Sequence, residues 1–550
     1  MKNIFRVIGF STLALTLTTL NGCIRETEPT SIATTNQVAA SSSATSALAS
    51  AQAAYFNHPL DDDFETFGHR DFGYGAMIMI RNVLDGDFGC NMSGYNHFSA
   101  WERNLYLGDS YTYGQMIWNY YYGFVLATNT LIKNVDTNNA TEEQLGYLGT
   151  GYAFRALVYL DLARVYEFLE NDGTSSTNSN GNNVLNLTVP IINEKTTEEE
   201  ARNNPRATRD SMFNFILSDL QNAEKYIGTL SSTNGKTLPD LACVYGLYAR
   251  LYMWVEDYAS AEKYADLAIK TTSSDLMTQT ECLNTTTGFN VADPWMWASQ
   301  LTSEDVTVQS GIINWASELS DETTFGYKGP STGLYNIIDK NMYDRISDKD
   351  WRKLEWKAPA ESGLRSGNAF VISAMNTDDE ESSYYCPDYT SLKFRPGSGN
   401  ADDYMTGGTV AFPIMRVEEM YFIKAEAQAQ QGNSGDAIST MEEIMSSRMT
   451  DGTYSYNYID KESLIDEIVF QKRVELWGEG QTFFDIKRLD KAVTRGYSGT
   501  NHYSTARLNT SRRPAWMNFC IVRTEANNNK ALDGWNNPDP SGVYSLWTGE

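Results

Sequence analysis

The chain has 550 residues, with 43 basic and 70 acidic side chains and a formal net charge of −27. This acidic balance excludes nucleic-acid binding as the main function, because neutralising phosphates requires clustered Lys and Arg. The four His residues are widely separated and the Cys residues form no CxxC pair, so neither a metal site nor a small disulfide-bonded scaffold is indicated. The Asp-rich segments do not complete a calcium-binding loop, and we expect no cofactor.

The N-terminus is predicted to be a lipoprotein signal. A basic start and a short uncharged apolar stretch lead to Leu20-Asn21-Gly22-Cys23, which resembles a bacterial lipobox. The apolar stretch is too short to span a bilayer comfortably, and no later stretch reaches the length of a transmembrane helix. Acylation of Cys23 would hold a soluble body at the membrane by lipid alone. The predicted segments are a signal peptide, a lipidated tether and a folded body, at 1–22, 23–36 and 37–550.

The first part of the body is predicted to combine one short helix with irregular chain. One face of a predicted short helix carries Ala44, Ala47, Leu48 and Ala51. The segment 61–94 is rich in Gly and Asp and is predicted to be irregular. Regular helical periodicity begins near Tyr113 and continues to Ile132.

The most regular helical pattern lies between positions 152 and 166. Tyr152, Tyr159 and Tyr166 recur at intervals of seven and therefore lie nearly in line, beside a stripe of Ala side chains. Small residues let two helices approach closely while the large rings fill the grooves. The pattern therefore indicates packing and not catalysis. The polar stretch 171–183 that follows is predicted to be a surface loop.

Helix pairs recur further along the chain. Further helices are predicted at 210–227, 240–254, 258–270, 413–431 and 435–448. Pro413 suits the first position of a helix and Gly432 a C-terminal stop, and small residues at the crossing points resemble tetratricopeptide units. The predicted fold class is therefore mainly α. The helical repeats are expected within about 113–270 and 413–490, and loop-rich insertions at about 61–112 and 281–410.

Six segments after the lipobox occur in a recognisable order, Ala153–Leu160, Tyr258–Ala261, Arg416–Ala429, Glu475–Gly480, Phe484–Arg488 and Asn536–Pro538. Together they resemble the SusD/RagB family of Bacteroidetes outer-membrane lipoproteins, over essentially the whole mature chain. The resemblance implies a SusD-like fold, with tetratricopeptide-type helix pairs forming a scaffold for long loop-rich insertions. The chain departs from the family's usual pattern at Gln471–Arg473, Gln481 and Val522–Arg523, where we expect altered salt bridges and unaltered function.

The resemblance also implies a function. Such proteins are non-enzymatic nutrient-binding subunits on the outer face of the outer membrane, where they cover a SusC-like TonB-dependent transporter. Most bind oligosaccharides or polysaccharides, and some capture peptides. The predicted partners are therefore a glycan and a SusC-like transporter, with a peptide-binding RagB-like subunit as the alternative.

The aromatic composition agrees with a sugar-binding function. Trp, Tyr and Phe make up 12% of the chain, and flat rings match the apolar face of a pyranose while polar side chains match its hydroxyl rim. The family assembles its ligand site from the N-terminal loop region and the insertion after the central repeats. The residues predicted to bind glycan are Asp71, Arg81, Trp101, Asn104, Trp295, Trp297, Trp315 and Tyr327. Each also has a plausible role in packing or structural pairing, so the loop regions as a whole are the firmer prediction.

The sequence also has features of two other classes of protein, glycosidases and protein-binding repeat lipoproteins. A glycosidase needs two carboxylates facing each other across a bond, whereas Glu475 and Glu479 lie side by side at i and i+4, which favours a salt-bridged or solvated helix end. The segment Gly329–Gly333 matches a nucleophile elbow, but no buried strand precedes it. We therefore expect no catalytic residues. The remaining alternative is a repeat lipoprotein that binds only proteins. Exposed aromatic side chains away from the repeats would argue against this alternative.

Overall fold

The computed structural model describes residues 42–549. The predicted signal peptide, the lipidation site Cys23 and the tether lie outside the described residues. Nineteen α-helices follow in chain order within this range: α1 (Ser42–Tyr55), α2 (Tyr74–Asp85), α3 (Ser99–Glu102), α4 (Thr112–Lys133), α5 (Glu142–Tyr166), α6 (Glu198–Ala201), α7 (Arg209–Ile227), α8 (Leu241–Trp254), α9 (Tyr258–Thr271), α10 (Gln279–Leu283), α11 (Val306–Gln309), α12 (Trp315–Leu319), α13 (Lys340–Arg345), α14 (Tyr404–Gly407), α15 (Val417–Gln430), α16 (Ser434–Ser446), α17 (Lys461–Glu475), α18 (Thr482–Arg488) and α19 (Arg523–Asn528).

Four short strands in the described range form two antiparallel pairs. Strand β1 (Phe88–Cys90) pairs antiparallel with β3 (Asn336–Ile338), and β2 (Trp297–Gln300) pairs antiparallel with β4 (Ala411–Met415). Because β2 and β4 flank the long insertion, their pairing brings its two ends together on the helical scaffold. Single 3₁₀ turns lie in the loops, at Gly68–Arg70, Trp351–Glu355, Arg365–Gly367, Ser373–Met375, Gly397–Gly399, Ser504–Ala506, Ala515–Met517 and Lys530–Leu532.

The helices form a continuous stack in which α4, α5, α7, α8, α9, α15, α16 and α17 each pack on a neighbour in that order, with α17 also on α15. Polar side chains begin several of them. Thr141 and Gln144 form a capping box at the start of α5, and Asp240 and Asp257 cap α8 and α9. The predicted helix pairs and the mainly α fold class are thereby confirmed.

The tyrosine pattern of α5 serves packing, as its spacing predicts. Tyr159 and Tyr166 are buried, and Ala153, Ala156 and Ala163 are buried beside them. Tyr159 also donates a hydrogen bond to the carbonyl oxygen of Ile192 at 2.8 Å. The small alanines allow close contact between helices, and the two rings fill the space beside them, although within residues 42–549 only the Tyr159 hydroxyl has a hydrogen-bond partner.

Two local predictions were wrong. The segment predicted to be irregular contains α2, all of whose residues are buried, and a helix buried on every side has no polar face to reveal a helical period. Gly73 and Gly86, at positive φ, mark its two ends. Pro413 lies in strand β4 opposite Ala298, not at the start of a helix; the helix begins four residues later, at Val417.

Charged residues are buried beside the apolar core. Glu475 accepts hydrogen bonds from Arg352, Arg416 and Arg448 at 2.8–3.1 Å, and Glu479 accepts from Arg416 at 2.8 Å. The salt-bridged reading of these two glutamates is therefore confirmed. No helix between residues 42 and 549 is long and apolar enough to cross a membrane.

Candidate functional site

Exposed tyrosines and a pair of histidines gather on the loop that precedes α2 and on the loops that lead from α2 to α4. Tyr106 is 50% exposed, and Tyr111 is also exposed. Ring contacts connect them to partly buried Tyr113 and, through Arg70, to a pair of histidines. We name this the tyrosine–histidine surface and define it by His69, Arg70, His97, Tyr106, Tyr111 and Tyr113.

The rings lie close enough to form one platform. The ring centroids of Tyr106 and Tyr111 are 5.1 Å apart, and those of Tyr106 and Tyr113 are 6.3 Å apart with their planes within 10°. The guanidinium of Arg70 lies over the Tyr113 ring at 4.8 Å from its centroid. The platform therefore combines exposed flat faces with a cation whose remaining N–H groups are donors.

The loop under the platform is held by the C-terminal segment. The side-chain amide of Asn104 donates to the carbonyl oxygen of Pro540 at 2.7 Å, and the Gly542 amide donates to the Asn104 carbonyl at 3.0 Å. The Leu107 amide donates to the hydroxyl of Ser541 at 2.8 Å. These three bonds hold both sides of Tyr106 against a segment more than four hundred residues away in sequence.

The backbone at Tyr106 is strained. Its φ is +62°, and that of Asn104 is +54°, in the left-handed region that bulky side chains seldom adopt. Such conformations persist where the surrounding contacts impose them, and they concentrate at binding and catalytic sites. The Tyr106 ring on this strained backbone is exposed, whereas Trp101 in the same segment is buried.

Two histidines extend the platform. The rings of His69 and His97 stack with centroids 4.6 Å apart and planes within 10°, and the Tyr327 hydroxyl bonds Nδ1 of His69. Burial, together with the charges of Arg70 and Lys328, lowers the pKa of His97 to about 4. His97 is therefore uncharged at neutral pH, so its stacking on His69 involves no repulsion between two cations.

Acidic and hydroxyl groups border the tyrosines. Asp109 and Ser110 are exposed between Tyr106 and Tyr111, and Asp539 is exposed beside Gly108, where an added Cβ would lie 2.3 Å from its carboxylate oxygen. Flat faces beside donors and acceptors can hold a sugar through stacking and paired hydrogen bonds to its hydroxyls. No group of three or more His, Cys, Asp or Glu within residues 42–549 has a metal-binding arrangement.

All eight residues predicted to bind glycan are buried: Asp71, Arg81, Trp101, Asn104, Trp295, Trp297, Trp315 and Tyr327. Most of their polar groups bond to protein, but Nε of Arg81, Oδ1 of Asn104 and Nε1 of Trp315 are buried without a hydrogen-bond partner among residues 42–549. Asp71 accepts from the amides of Leu60 and Asp61, and burial raises its pKa to about 6. Arg81 pairs with Asp161 at 2.9 Å. Direct ligand contact by these side chains is thus not supported in this conformation, because each is enclosed by protein.

The predicted aromatics divide into two groups. Trp295, Trp297 and Trp315 pack in the core, the last stacked on Phe412 with centroids 4.7 Å apart. Trp101 and Tyr327 instead lie directly beneath the tyrosine–histidine surface, where they contact Tyr113 and the histidine pair. These two buried rings support the exposed rings from below.

The prediction missed the exposed rings, although they stand in the same aromatic-rich loop. Trp101, one of the residues predicted to bind glycan, has a buried ring. A usable signal was present at Tyr106 and Tyr111, which flank Gly108-Asp109-Ser110. A turn-forming segment without helical periodicity places its flanking rings outside a helical core.

Comparisons with known proteins give the family. A model of the SusD family matches residues 273–540, and a model described as starch-binding and associating with the outer membrane matches residues 85–253. Together the two matches span most of the chain. The chain belongs to the SusD family. The resemblance found in the sequence is thereby confirmed, and the family description associates its members with the outer membrane.

Solved SusD relatives share this fold at low identity. A SusD-like carbohydrate-binding protein from Bacteroides vulgatus ATCC 8482 superposes with a TM-score of 0.66 at 20% identity, covering 89% of this chain and 97% of that one. A SusD superfamily protein from Bacteroides thetaiotaomicron VPI-5482 gives 0.63 at 19% identity, with 90% and 99% covered. SusD-like protein P38 of Formosa agariphila is 23% identical over 415 residues, which is 68% of this chain and 72% of that protein.

Proposed function

We propose that this protein is a non-catalytic, lipid-anchored glycan-binding protein of the outer membrane. It captures an oligosaccharide or polysaccharide on the tyrosine–histidine surface and delivers it to a SusC-like TonB-dependent transporter. The observation that carries the proposal is the platform of exposed tyrosine rings on a strained loop. Membership of the SusD family and the starch-binding description of one matching model support the same reading.

The chemistry of the surface favours a neutral sugar. Tyr106 and Tyr111 offer flat faces for the C–H groups of a pyranose, and Arg70 and Asp109 lie near enough to the rings to meet its hydroxyl rim. The net charge of −27 repels strongly anionic glycans at long range. Delivery to a transporter needs capture and release, so no bond in the sugar has to break.

The first experiment is calorimetric titration of the body, residues 24–550, against a panel of neutral plant, host and microbial polysaccharides. Heat with one glycan, without released product on prolonged incubation, is the expected result. Released oligosaccharides would replace the proposal with a glycosidase. No binding heat from any polysaccharide, together with binding heat from peptides, would replace the proposal with peptide capture.

The Tyr106→Ala variant is expected to weaken affinity for that glycan at least tenfold, about 1.4 kcal/mol, because a stacking face is removed. Tyr106→Phe keeps the ring and should retain most of the affinity. Tyr458 is the matched control, since it is also 50% exposed but lies between α16 and α17, and Tyr458→Ala should bind normally. Unchanged titration heats for Tyr106→Ala would remove this ring from the site.

The Cys23→Ala variant is expected to move the protein from the membrane fraction to the soluble fraction. The thiol of Cys23 is the predicted acylation site, and the proposed anchor is lipid alone. Cell fractionation followed by immunoblotting measures the change, with Ser31→Ala in the tether as control. Continued membrane fractionation of Cys23→Ala would refute the lipobox.

A further inference from the structure

A cation-rich cavity of about 140 Å³ lies inside the helical stack, between the C-terminal end of α5 and helices α7, α8, α15, α17 and α18. Its wall contains seven cationic side chains and four carboxylates. None of its lining residues belongs to the tyrosine–histidine surface. Buried charges are expensive unless they are paired, so the excess of cations requires an explanation.

Some of the cations in the wall are neutralised within it. Arg209 bonds Glu167 at 2.5 Å, and Arg250 bonds Glu419 at 2.5 Å. Lys472 pairs with Asp485 at 2.8 Å. Arg488 shares Asp485 at 3.0 Å and also pairs at 2.7 Å with Glu426, which is not part of the wall. The fourth carboxylate of the wall, that of Glu256, is exposed at the rim. Water weakens the effect of an exposed charge without removing it, so Glu256 neutralises the interior only in part.

Lys487 is the clearest unneutralised cation. It is buried, and its ammonium donates only to the carbonyl oxygens of Val165 and Glu167, at 3.1 and 2.8 Å. Among residues 42–549 it forms no salt bridge with a carboxylate. An ammonium has three donors, so one remains available. Burial lowers the pKa of Lys487 well below its ordinary value, the Glu167 carboxylate opposes this shift, and nearby arginines lower the pKa further.

Two arginines of the wall also lack a full counter-charge. Arg513 donates to the carbonyl oxygens of Lys487 and Glu170, and its nearest carboxylate, Asp490 at 3.8 Å, already binds Arg512 at 2.7 Å. Arg164 bonds Asp161 at 2.7 Å, but Arg81 shares that carboxylate at 2.9 Å. In the part of the chain that the structure describes, Lys487 therefore has no carboxylate partner, and Arg513 and Arg164 each share their carboxylate with an arginine outside the wall.

We propose that this cavity binds a compact oxyanion of the phosphate or sulfate class. Such an ion supplies the missing negative charge and accepts several charge-assisted hydrogen bonds from Lys487, Arg513 and Arg164. A cavity of about 150 Å³ holds a molecule the size of benzene, so the space is adequate. The oxyanion reaches the cavity through the rim formed by Glu256 and Gln481, both open to solvent.

Thermal unfolding in sulfate, phosphate or chloride at equal ionic strength tests the proposal. A bound ion stabilises the folded state by mass action, so sulfate and phosphate are expected to raise Tm above its value in chloride in a saturable way. Equal Tm values in all three salts would refute the site. A monosaccharide sulfate in place of inorganic sulfate distinguishes the source: equal or tighter binding indicates a sugar-borne group, and weaker binding a free ion.

Two rim variants are expected to act in opposite directions. Gln481→Glu adds a negative charge at the rim and should weaken sulfate binding at least threefold, whereas Glu256→Gln removes one and should tighten it. Glu304→Gln, on an exposed loop, is the matched control and should leave binding unchanged. Changes in the same direction for both rim variants would contradict the proposal.

The interior variant Lys487→Met keeps a similar volume and is expected to abolish the extra stabilisation by sulfate. Only two carbonyl acceptors lose a donor, so the variant should fold. If it does not fold, the rim variants still decide the question, because their side chains lie at the surface. Full retention of the sulfate effect in folded Lys487→Met would overturn the assignment of this ammonium.

Discussion

The Glu475→Gln variant is expected to lose about 3–5 kcal/mol of unfolding free energy at neutral pH, because it removes the carboxylate of a buried ion cluster. Arg448 donates two bonds to this carboxylate at 2.9 Å, Arg416 one at 2.8 Å and Arg352 one at 3.1 Å. A neutral amide leaves these guanidinium groups with too little negative charge. Urea-induced unfolding, monitored by circular dichroism, measures the loss.

The pH dependence of this contribution has a definite sign. Burial alone would raise the pKa of Glu475, but Arg448, Arg416 and Arg352 outweigh burial and hold the pKa well below its ordinary value. The contribution is therefore present above the unfolded pKa, about 4.3, and is lost as pH falls through the lower folded pKa. The difference in stability between wild type and Glu475→Gln should shrink steadily below about pH 4.

Glu318 provides a matched control of opposite sign. It is also buried, but neither carboxylate oxygen has a hydrogen-bond partner, and burial raises its pKa to about 7 despite Lys328 at 3.8 Å. Its contribution is present below the unfolded pKa and is lost as pH rises through about 7. Glu318→Gln should therefore remove a loss of stability between about pH 4 and 7. The same acid response in both variants would contradict the assigned pairings.

The Trp101→Ala variant is expected to lower the free energy of unfolding by about 3–5 kcal/mol through the cavity it leaves in the core. Trp101 is 1% exposed, and its ring lies 4.8 Å from that of Tyr113 and 5.7 Å from that of Phe98. The indole also supports the tyrosine–histidine surface from below. The conservative variant Trp101→Phe should recover much of the stability, because it refills most of the space.

Trp535 is the control for this substitution, since it is 39% exposed. Trp535→Ala should change the free energy of unfolding by about 1 kcal/mol or less. Denaturant unfolding of both variants, combined with glycan titration, separates packing from ligand contact. If Trp101→Ala kept its stability and lost glycan affinity, Trp101 would return to the binding site that the sequence predicted for it.

Three helices were predicted closely. The predicted helices 210–227, 240–254 and 258–270 agree with α7, α8 and α9 to within a residue or two at each end. In α7 and α9 one polar face and one apolar face give a period visible in the sequence, whereas α8 keeps only a narrow, partly exposed stripe at Leu241, Tyr245 and Tyr252. Helix α2 was missed because all its faces are buried, and β4 was missed because its partner β2 lies more than a hundred residues away.

The candidate site was predicted only to the level of a loop. The aromatic composition indicates the region around Trp101 and Tyr106, and the exposed platform lies in that region. Which of two neighbouring rings faces solvent depends on the left-handed backbone at Tyr106 and on the bonds from Asn104 and Leu107 to the C-terminal segment. Those contacts join distant parts of the chain and leave no local pattern.

The sequence by itself determined the family, the mainly α class and the position of most of the long helices, because periodic burial and ordered motifs are local properties of the chain. Tertiary structure alone decided which aromatics are exposed, since burial depends on what packs above each ring. It also decided the charge of the cavity beside Lys487, because the neutralisation of a cation depends on the carboxylates that folding brings within a few ångströms.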